Sequence, residues 1–297
     1  MTPSHPFTAL MKRYCQQQKL DHLNGLHQAN INGVWFYRSD TQSERQSLVY
    51  QSGIIIMGQG QKRVHLSEQT FSYGPGDYLV LGVPLPLECE AWGQQDEPLL
   101  GIAIDIDPQR LAQVAGQLRQ FDCFSDSTAP ECGLVASKMA PSLEQAVTRL
   151  LEAMLDEAEA NILGDSIITE IVYRILIQKQ GRVLYELVNQ DSHYARIAQT
   201  LNWLHQHYPD QISVEQLAKT ANMSLSSFHR AFRQVTLESP LQYLKKVRLD
   251  KAKDLIVKEG KRINDVAELV GYTSSSQFSR EFKRHFKTTP KQAVNTL

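Results

Sequence analysis

Two short groups of side chains have the chemistry to read a base-paired nucleic acid. Ser226, Ser227, His229, Arg230 and Arg233 form the first, and Ser275, Ser276, Gln277, Arg280, Lys283 and Arg284 form the second, about fifty residues further on. Arginine can make two parallel hydrogen bonds to guanine, glutamine can do the same with adenine, and serine or lysine can hold phosphates. To act together, such groups must share one face of a rigid element. At about 100° per residue, a helix through Phe278 and Phe282 puts both rings on one side and Ser276, Gln277, Arg280, Lys283 and Arg284 on the other. The first group repeats this pattern: Phe228 and Phe232 point inward, Ser226, Ser227, Arg230, Arg233 and Gln234 point outward, and His229 lies at the edge. The solvated face of an ordinary helix would look the same in a single copy. Two matched copies favour recognition.

The surrounding sequence supplies the elements that would hold these faces. SSFHRAFRQVTLESP ends at Pro240 and SSQFSREFKRHFKTTP ends at Pro290, so that Phe228, Arg230, Phe232 and Pro240 recur as Phe278, Arg280, Phe282 and Pro290. A repeat that keeps its apolar and basic positions marks a duplicated unit. Each copy follows an apolar helical turn, Val214, Leu217, Ala218 and Ala221 in one and Ile263, Val266, Ala267 and Val270 in the other. Asn222 and Gly271 then suit the left-handed residue that ends a helix, and Ser224 and Thr273 suit the cap that opens the next. Each unit therefore reads as helix, tight turn, helix, the arrangement that seats a second helix in a major groove. Between the units, Leu241, Leu244, Val247, Leu249, Ala252, Leu255 and Ile256 predict a long helix after Pro240. Such a helix would set the recognition helices about 34 Å apart, one turn of DNA.

Residues 196–291 resemble the double helix-turn-helix domain of the AraC/XylS-type transcription regulators, most closely in GYTSSSQFSREFKRHFKTTP. Lys287 departs from that pattern, which usually has Gly there. The resemblance implies base-facing roles for Ser226, His229, Arg230, Arg233, Ser275, Ser276, Gln277 and Arg280. It also implies double-stranded promoter DNA and RNA polymerase as partners, a homodimer, and a small-molecule effector. YQSGIIIMGQGQKRV, YGPGDYLV and EIVYRILIQKQG, between Ser52 and Gly181, are similar to the N-terminal arm of one AraC-type subfamily.

Charge supports two jobs in one chain. The net charge of the 297 residues is −1, but residues 1–191 carry a net −9 and residues 192–297 a net +8. A basic module suits a polyanion and an acidic one does not. Cys15, Cys89, Cys123 and Cys132 show no CxxC pair or zinc spacing, so free thiols are expected. The first eighteen residues lack the apolar core of a secretory signal, and the longest apolar stretch, Tyr78 to Leu87, is too short to span a bilayer and holds two prolines. A cytoplasmic chain with no membrane partner and no cofactor is expected.

The fold class expected is α+β: an N-terminal cupin-like antiparallel β-barrel with accessory helices, then an all-α domain of two helix-turn-helix units joined by a long helix. Residues 1–190 would form the first domain and 191–297 the second, with a boundary segment at 182–195. Strands are predicted at GVWFYRS, SLVYQSGIIIMG, QKRVHL, QTFSYG, DYLVLGV, LECEAW and LLGIAIDI, with a sharp corner at Gly74 to Asp77. Helices are predicted at 6–18, after Asp107 and Pro108, after Pro141, from an Asp165 cap to Gly181, and from Ser192 to Tyr208. Residues 121–140 read as loop. The apolar stripes between 142 and 180 would either pack on the barrel or pair with a second subunit.

Catalytic cupins hold a metal with an HxH pair, a Glu and a later His. Here His65 is the one histidine between Gly33 and Asp107, and a metal site needs three or four converging ligands. A cupin enzyme with a helical assembly tail is thus the weaker reading. Tyr50, Ile55, Met57, Tyr73, Leu79, Leu81 and Cys89 could line a ligand cavity or simply fill a core. Of Lys62 and Arg63, which could anchor an anion, at most one can point inward, because neighbours on a strand face opposite ways. Cys89 could act as an electrophile sensor, though the adjacent Glu88 and Glu90 would disfavour its thiolate.

Overall fold

The computed structural model of the chain describes residues 5–94, 96–121, 132–189 and 191–294. Helix α1 (Pro6–Gln17) opens on a proline in its first turn, with the His5 side chain accepting from the Phe7 amide. Strands β1 (Gly25–Gln28), β2 (Val34–Ser39), β3 (Ser43–Tyr50), β4 (Gly53–Gln59), β5 (Gln61–Leu66), β6 (Gln69–Tyr73), β7 (Asp77–Leu81), β8 (Leu85–Trp92) and β9 (Leu99–Asp105) follow. After α2 (Pro108–Arg119), β10 (Leu134–Lys138) completes the set. They form two antiparallel sheets, in the orders β1-β2-β9-β4-β7-β10 and β3-β8-β5-β6. The sheets do not close into a continuous barrel.

Alternation along the larger sheet separates a dry face from a roomier one. Val34, Phe36, Ile54, Ile56, Ile102 and Ile104 are fully buried. They share the face covered by α1, where the Tyr14 and Phe36 rings lie 5.0 Å apart and Thr8 Oγ1 donates to the Gly58 carbonyl. Trp35, Tyr37, Ile55, Met57, Gly101 and Ala103 point the other way, across to the smaller sheet. The corner at Gly74 forms as expected: the Asp77 amide donates to the Gly74 carbonyl at 3.0 Å, and Gly76 adopts φ +83°.

Helices α3 (Pro141–Ala153), α4 (Glu157–Leu176) and α5 (Arg182–Val188) pack on the sandwich, followed by α6 (His193–His207), α7 (Val214–Thr220), α8 (Leu225–Thr236), α9 (Pro240–Val257), α10 (Ile263–Leu269), α11 (Ser275–Phe286) and α12 (Pro290–Val294). Three sequence expectations need correction. The run SLVYQSGIIIMG is two strands of different sheets, parted at Gln51 and Ser52. Asp156, not Asp165, caps α4, its side chain accepting from the Glu159 amide. Gly164 looks like a helix stop, yet it lies inside α4 because Ile31 packs against it: a Cβ there would come within 2.8 Å of Ile31. The third correction concerns 121–140, which holds β10 on the edge of β7; residues 122–131, with Cys123, lie outside the described residues. In the boundary segment α5 runs to Val188 and Ser192 caps α6, while Gln190 lies outside the described residues.

One apolar core runs from α1 through the sandwich and its helices into α6, α7, α8 and the start of α9. A second, smaller core of Leu249, Ala252, Ile256, Val266, Ala267, Val270, Tyr272, Phe278, Phe282 and Ala293 belongs to the last helices alone. The first helix-turn-helix unit is thus built onto the sandwich, and the second stands on its own packing.

Asp250 on α9 is buried and its Oδ2 has no partner among the described residues. Burial pushes its carboxyl up from 3.8 to about 7, against the pull of Lys253. Between about pH 4 and pH 7 the folded state therefore holds a proton that the unfolded chain has lost, and stability falls as pH rises through that window. Asp250→Asn is expected to raise the melting temperature at pH 8 and to leave it nearly unchanged at pH 4. Equal shifts at both pH values would refute this.

Candidate nucleic-acid interface and effector cavity

The two candidate recognition helices are built alike, from sequence signals that work locally. Asn222 takes φ 51° and Gly271 φ 86°, turning the chain so that Ser224 and Ser274 cap α8 and α11 by accepting from the Ser227 and Gln277 amides. The second cap is therefore Ser274 rather than Thr273. Phe228 and Phe232 are fully buried with rings 5.4 Å apart, and Phe278 and Phe282 match them at 5.6 Å. Both helices end on a left-handed residue, Leu237 at φ 57° and Lys287 at φ 61°. Lys287 thus adopts the turn that Gly would favour, at a cost of about 1–2 kcal/mol for an L-residue.

Away from the rings, Ser226, His229, Arg230 and Arg233 on α8 and Ser275, Ser276, Gln277, Arg280, Lys283 and Arg284 on α11 are exposed. Ser227 is half-buried. Each helix brings its own group together on one face. Glu281, which the sequence reading left aside, interrupts the second group: Gln277 Nε2 donates to it at 3.4 Å and the Tyr272 hydroxyl at 2.9 Å. Lys245 and Lys246 on α9 share a groove with Arg284 and Glu281; nothing in their spacing marked them in advance.

Helix α9 is the spacer. Its 18 residues span about 27 Å at 1.5 Å per residue. Arg248 on α9 donates to the Tyr208 and Asp210 carbonyls at 2.7 Å each. Gly271 lies so close to this segment that a Cβ would meet the Pro209 carbonyl oxygen at 2.3 Å. The turn of the second unit is thereby keyed to the end of α6.

The sandwich touches the first unit through main-chain groups. The Tyr243 hydroxyl on α9 donates to the Pro84 carbonyl at 2.6 Å, and Gly133 N–H donates to the Val235 carbonyl at 2.8 Å. His205 Nε2 lies 2.8 Å from the same hydroxyl. Burial lowers the His205 pKa to about 4, so at neutral pH the ring is uncharged and Nε2–H donates to Tyr243.

Between the sheets lies a cavity of about 570 Å³, within the range of roughly 300–1,000 Å³ common for small-molecule sites. Tyr50, Ile55, Met57 and Cys89, for which the sequence left cavity and core both open, line it, joined by Trp35, Tyr37, Leu48, Lys62 and Ala103. Tyr73, Leu79 and Leu81 do not; they are fully buried in packed regions. Lys62 points in, whereas Arg63 faces out toward Glu90, Ser72 and Trp92. His65 bonds Thr70 at 3.0 Å and Glu90 at 2.7 Å. The Cys89 thiol is pushed up chiefly by burial, with Lys62 opposing and Glu90 contributing least. The carboxylates beside it are thus a minor cause, because strand alternation sends them to the other face.

A family model for the AraC-type transcriptional regulator N-terminus matches residues 30–183, and one for a helix-turn-helix domain matches residues 217–296. The chain belongs to the AraC-type transcriptional regulators and carries their helix-turn-helix domain. Among curated relatives, it is 32% identical over 141 residues to the HTH-type transcriptional activator RhaS of Klebsiella pneumoniae (strain 342), covering 48% of this chain and 49% of the relative. It is 30% identical over 151 residues to RhaS of Escherichia coli O1:K1 / APEC, covering 50% and 54%. The chain spans about half the length of the curated relatives it matches. Its fold is that of unsaturated fatty acid bound wild-type ToxT from Vibrio cholerae strain SCE256, with a TM-score of 0.56 at 10% identity over 91% of this chain and 98% of that one. ToxT from Vibrio cholerae O395 gives 0.55 at 9% identity over 88% and 96%.

Proposed function

We propose that the chain is a sequence-specific DNA-binding transcription regulator in which residues 1–190 sense a small molecule and residues 191–297 bind promoter DNA. The observation that carries this is the matched pair of α8 and α11, each with two buried rings on one side and an exposed basic, hydrogen-bonding face on the other. Ser226, Ser227, His229, Arg230 and Arg233 would meet one major groove, and Ser275, Ser276, Gln277, Arg280, Lys283 and Arg284 the next. Family membership supports a regulator rather than a cupin enzyme, and the name of its relatives makes activation, through contact with RNA polymerase, the direction proposed. No helix among the described residues is long and apolar enough to cross a membrane, which accords with a cytoplasmic site of action. The stripes of α3 and α4 largely pack on each other and the sandwich, but Ile162 and Leu163 on α4 stay exposed at 74% and 45% and would serve a homodimer.

The route from effector to DNA would be β8. This strand lines the cavity with Cys89 and Ala91 and begins one residue after Pro84, the acceptor of the Tyr243 bond. Selection of random duplex DNA on the full chain tests the proposal. Two enriched blocks about one helical turn apart are expected, repeated in pairs if the chain dimerises. No enriched sequence, with effector-free or effector-loaded protein, would overturn it.

A further inference from the structure

We propose that Lys62 makes the cavity a site for a small apolar molecule carrying one carboxylate. This rests on the reading of the sandwich as a small-molecule sensor and narrows it to a ligand class. On β5 the alternation of burial puts Lys62, Val64 and Leu66 inward, and Lys62 pairs in register with Ala91 of β8, another cavity residue. Only 8% of Lys62 is exposed. Its Nζ sits 3.6 Å from the centroid of the Tyr37 ring, which projects from the opposite sheet.

Arg38, the other buried cation among the described residues, has an anionic partner, and so do the partly buried Arg182 and Lys246. Arg38 holds Asp40 and the Leu23 carbonyl, Arg182 holds Glu186, and Lys246 holds Glu238. For Lys62 no carboxylate lies within ion-pair reach and no oxygen accepts a hydrogen bond among the described residues; the face of Tyr37 is its partner. A ring offsets part of the loss of water around an ammonium, but a buried charge is ordinarily paired and hydrogen-bonded. The nearby acids are committed elsewhere. Glu88 pairs with Arg45, and Glu90 with Arg63 and His65, on the outer face of β8; Asp105 accepts from Trp35 Nε1 at 2.9 Å.

The rest of the wall selects the body of the ligand. Trp35, Leu48, Ile55, Met57 and Ala103 make much of it apolar, Ser43, Gln46 and Gln51 add uncharged polar groups, and the Tyr50 hydroxyl is within 3.4 Å of both Tyr73 and Cys89. A lone ammonium balances a single negative charge. A dianionic phosphate would leave charge unneutralised.

Calorimetric titration of the full chain with 4-phenylbutyrate and with its neutral amide, 4-phenylbutyramide, tests the assignment. The acid is expected to bind about tenfold or more tightly than the amide. Lys62→Met should erase that preference while leaving the amide affinity unchanged, and Lys62→Arg should keep it. Ala103→Trp, which fills the cavity, should abolish both. Without ligand, Lys62→Met should melt no lower than the parent chain, since it removes an unpaired buried charge rather than a salt bridge. Equal affinity for acid and amide, or a Lys62→Met chain that still prefers the acid, would overturn the inference and leave the sensor reading standing. Binding that survives Ala103→Trp would place the probe outside the cavity and also overturn it. If neither compound binds, the inference falls, while the sensor reading, which names no ligand class, stands.

Discussion

Phe282→Ala is expected to melt the second helix-turn-helix unit while the sandwich and the first unit remain folded. Phe282 is fully buried in the smaller core, with ring contacts at 5.6 Å to Phe278 and 4.6 Å to Phe286. Truncating a buried Phe costs about 3–5 kcal/mol through lost burial and the cavity left behind. Among the described residues that core has ten buried members, so little packing remains to absorb the loss. Phe232 holds the equivalent place in the first unit, but its core is continuous with the sandwich, and Phe232→Ala should lower the single main transition instead of splitting it. Hydrogen exchange and thermal melting separate the two cases. A Phe282→Ala chain with full protection in α11 would show that the second unit does not depend on its own core.

Arg230→Ala and Arg280→Ala should each weaken binding to the selected DNA by about 1–3 kcal/mol, roughly 5- to 150-fold, and each should relax preference at one base position. Both side chains are exposed on separate helices and share no partner, so the losses should add in the double variant. Lys283→Ala should behave differently. A phosphate contact carries no sequence information, so its loss weakens all sequences alike and lowers the salt slope by about 1. If binding and preference survive in both arginine variants, α8 and α11 are not the reading helices. Since Gln277 is tied to Glu281 at 3.4 Å in the free chain, Glu281→Ala should release it and broaden or shift selectivity at its base.

Helices α8 and α11 were legible in advance because their signals are local. Ser caps, left-handed Asn222 and Gly271, and Phe pairs at helical spacing act within one turn of chain. The same holds for α2 and α3, where Pro108 and Pro141 stand in the first turn. The failures lie where a distant partner decides. The helix expected to start at Asp165 runs on through Gly164, whose missing side chain leaves room for Ile31, and Leu134 to Lys138 form a strand because the edge of β7 is there to pair with them. Leu79 and Leu81 were as apolar as Ile55, and packing alone filled one part of the sandwich and left the other open.

The sequence by itself determined the two basic helix faces and the long spacer between them, since periodicity and capping depend on neighbours three or four residues away, and its repeated motif carried the family resemblance. Tertiary structure decided which of Lys62 and Arg63 enters the cavity, because a strand carries a period of two but no mark of which side will be covered. It also decided that the first unit shares its core with the sandwich while the second does not. The contacts responsible, Tyr243 to Pro84 and Val235 to Gly133, join residues more than a hundred positions apart, and no local pattern in the chain records them.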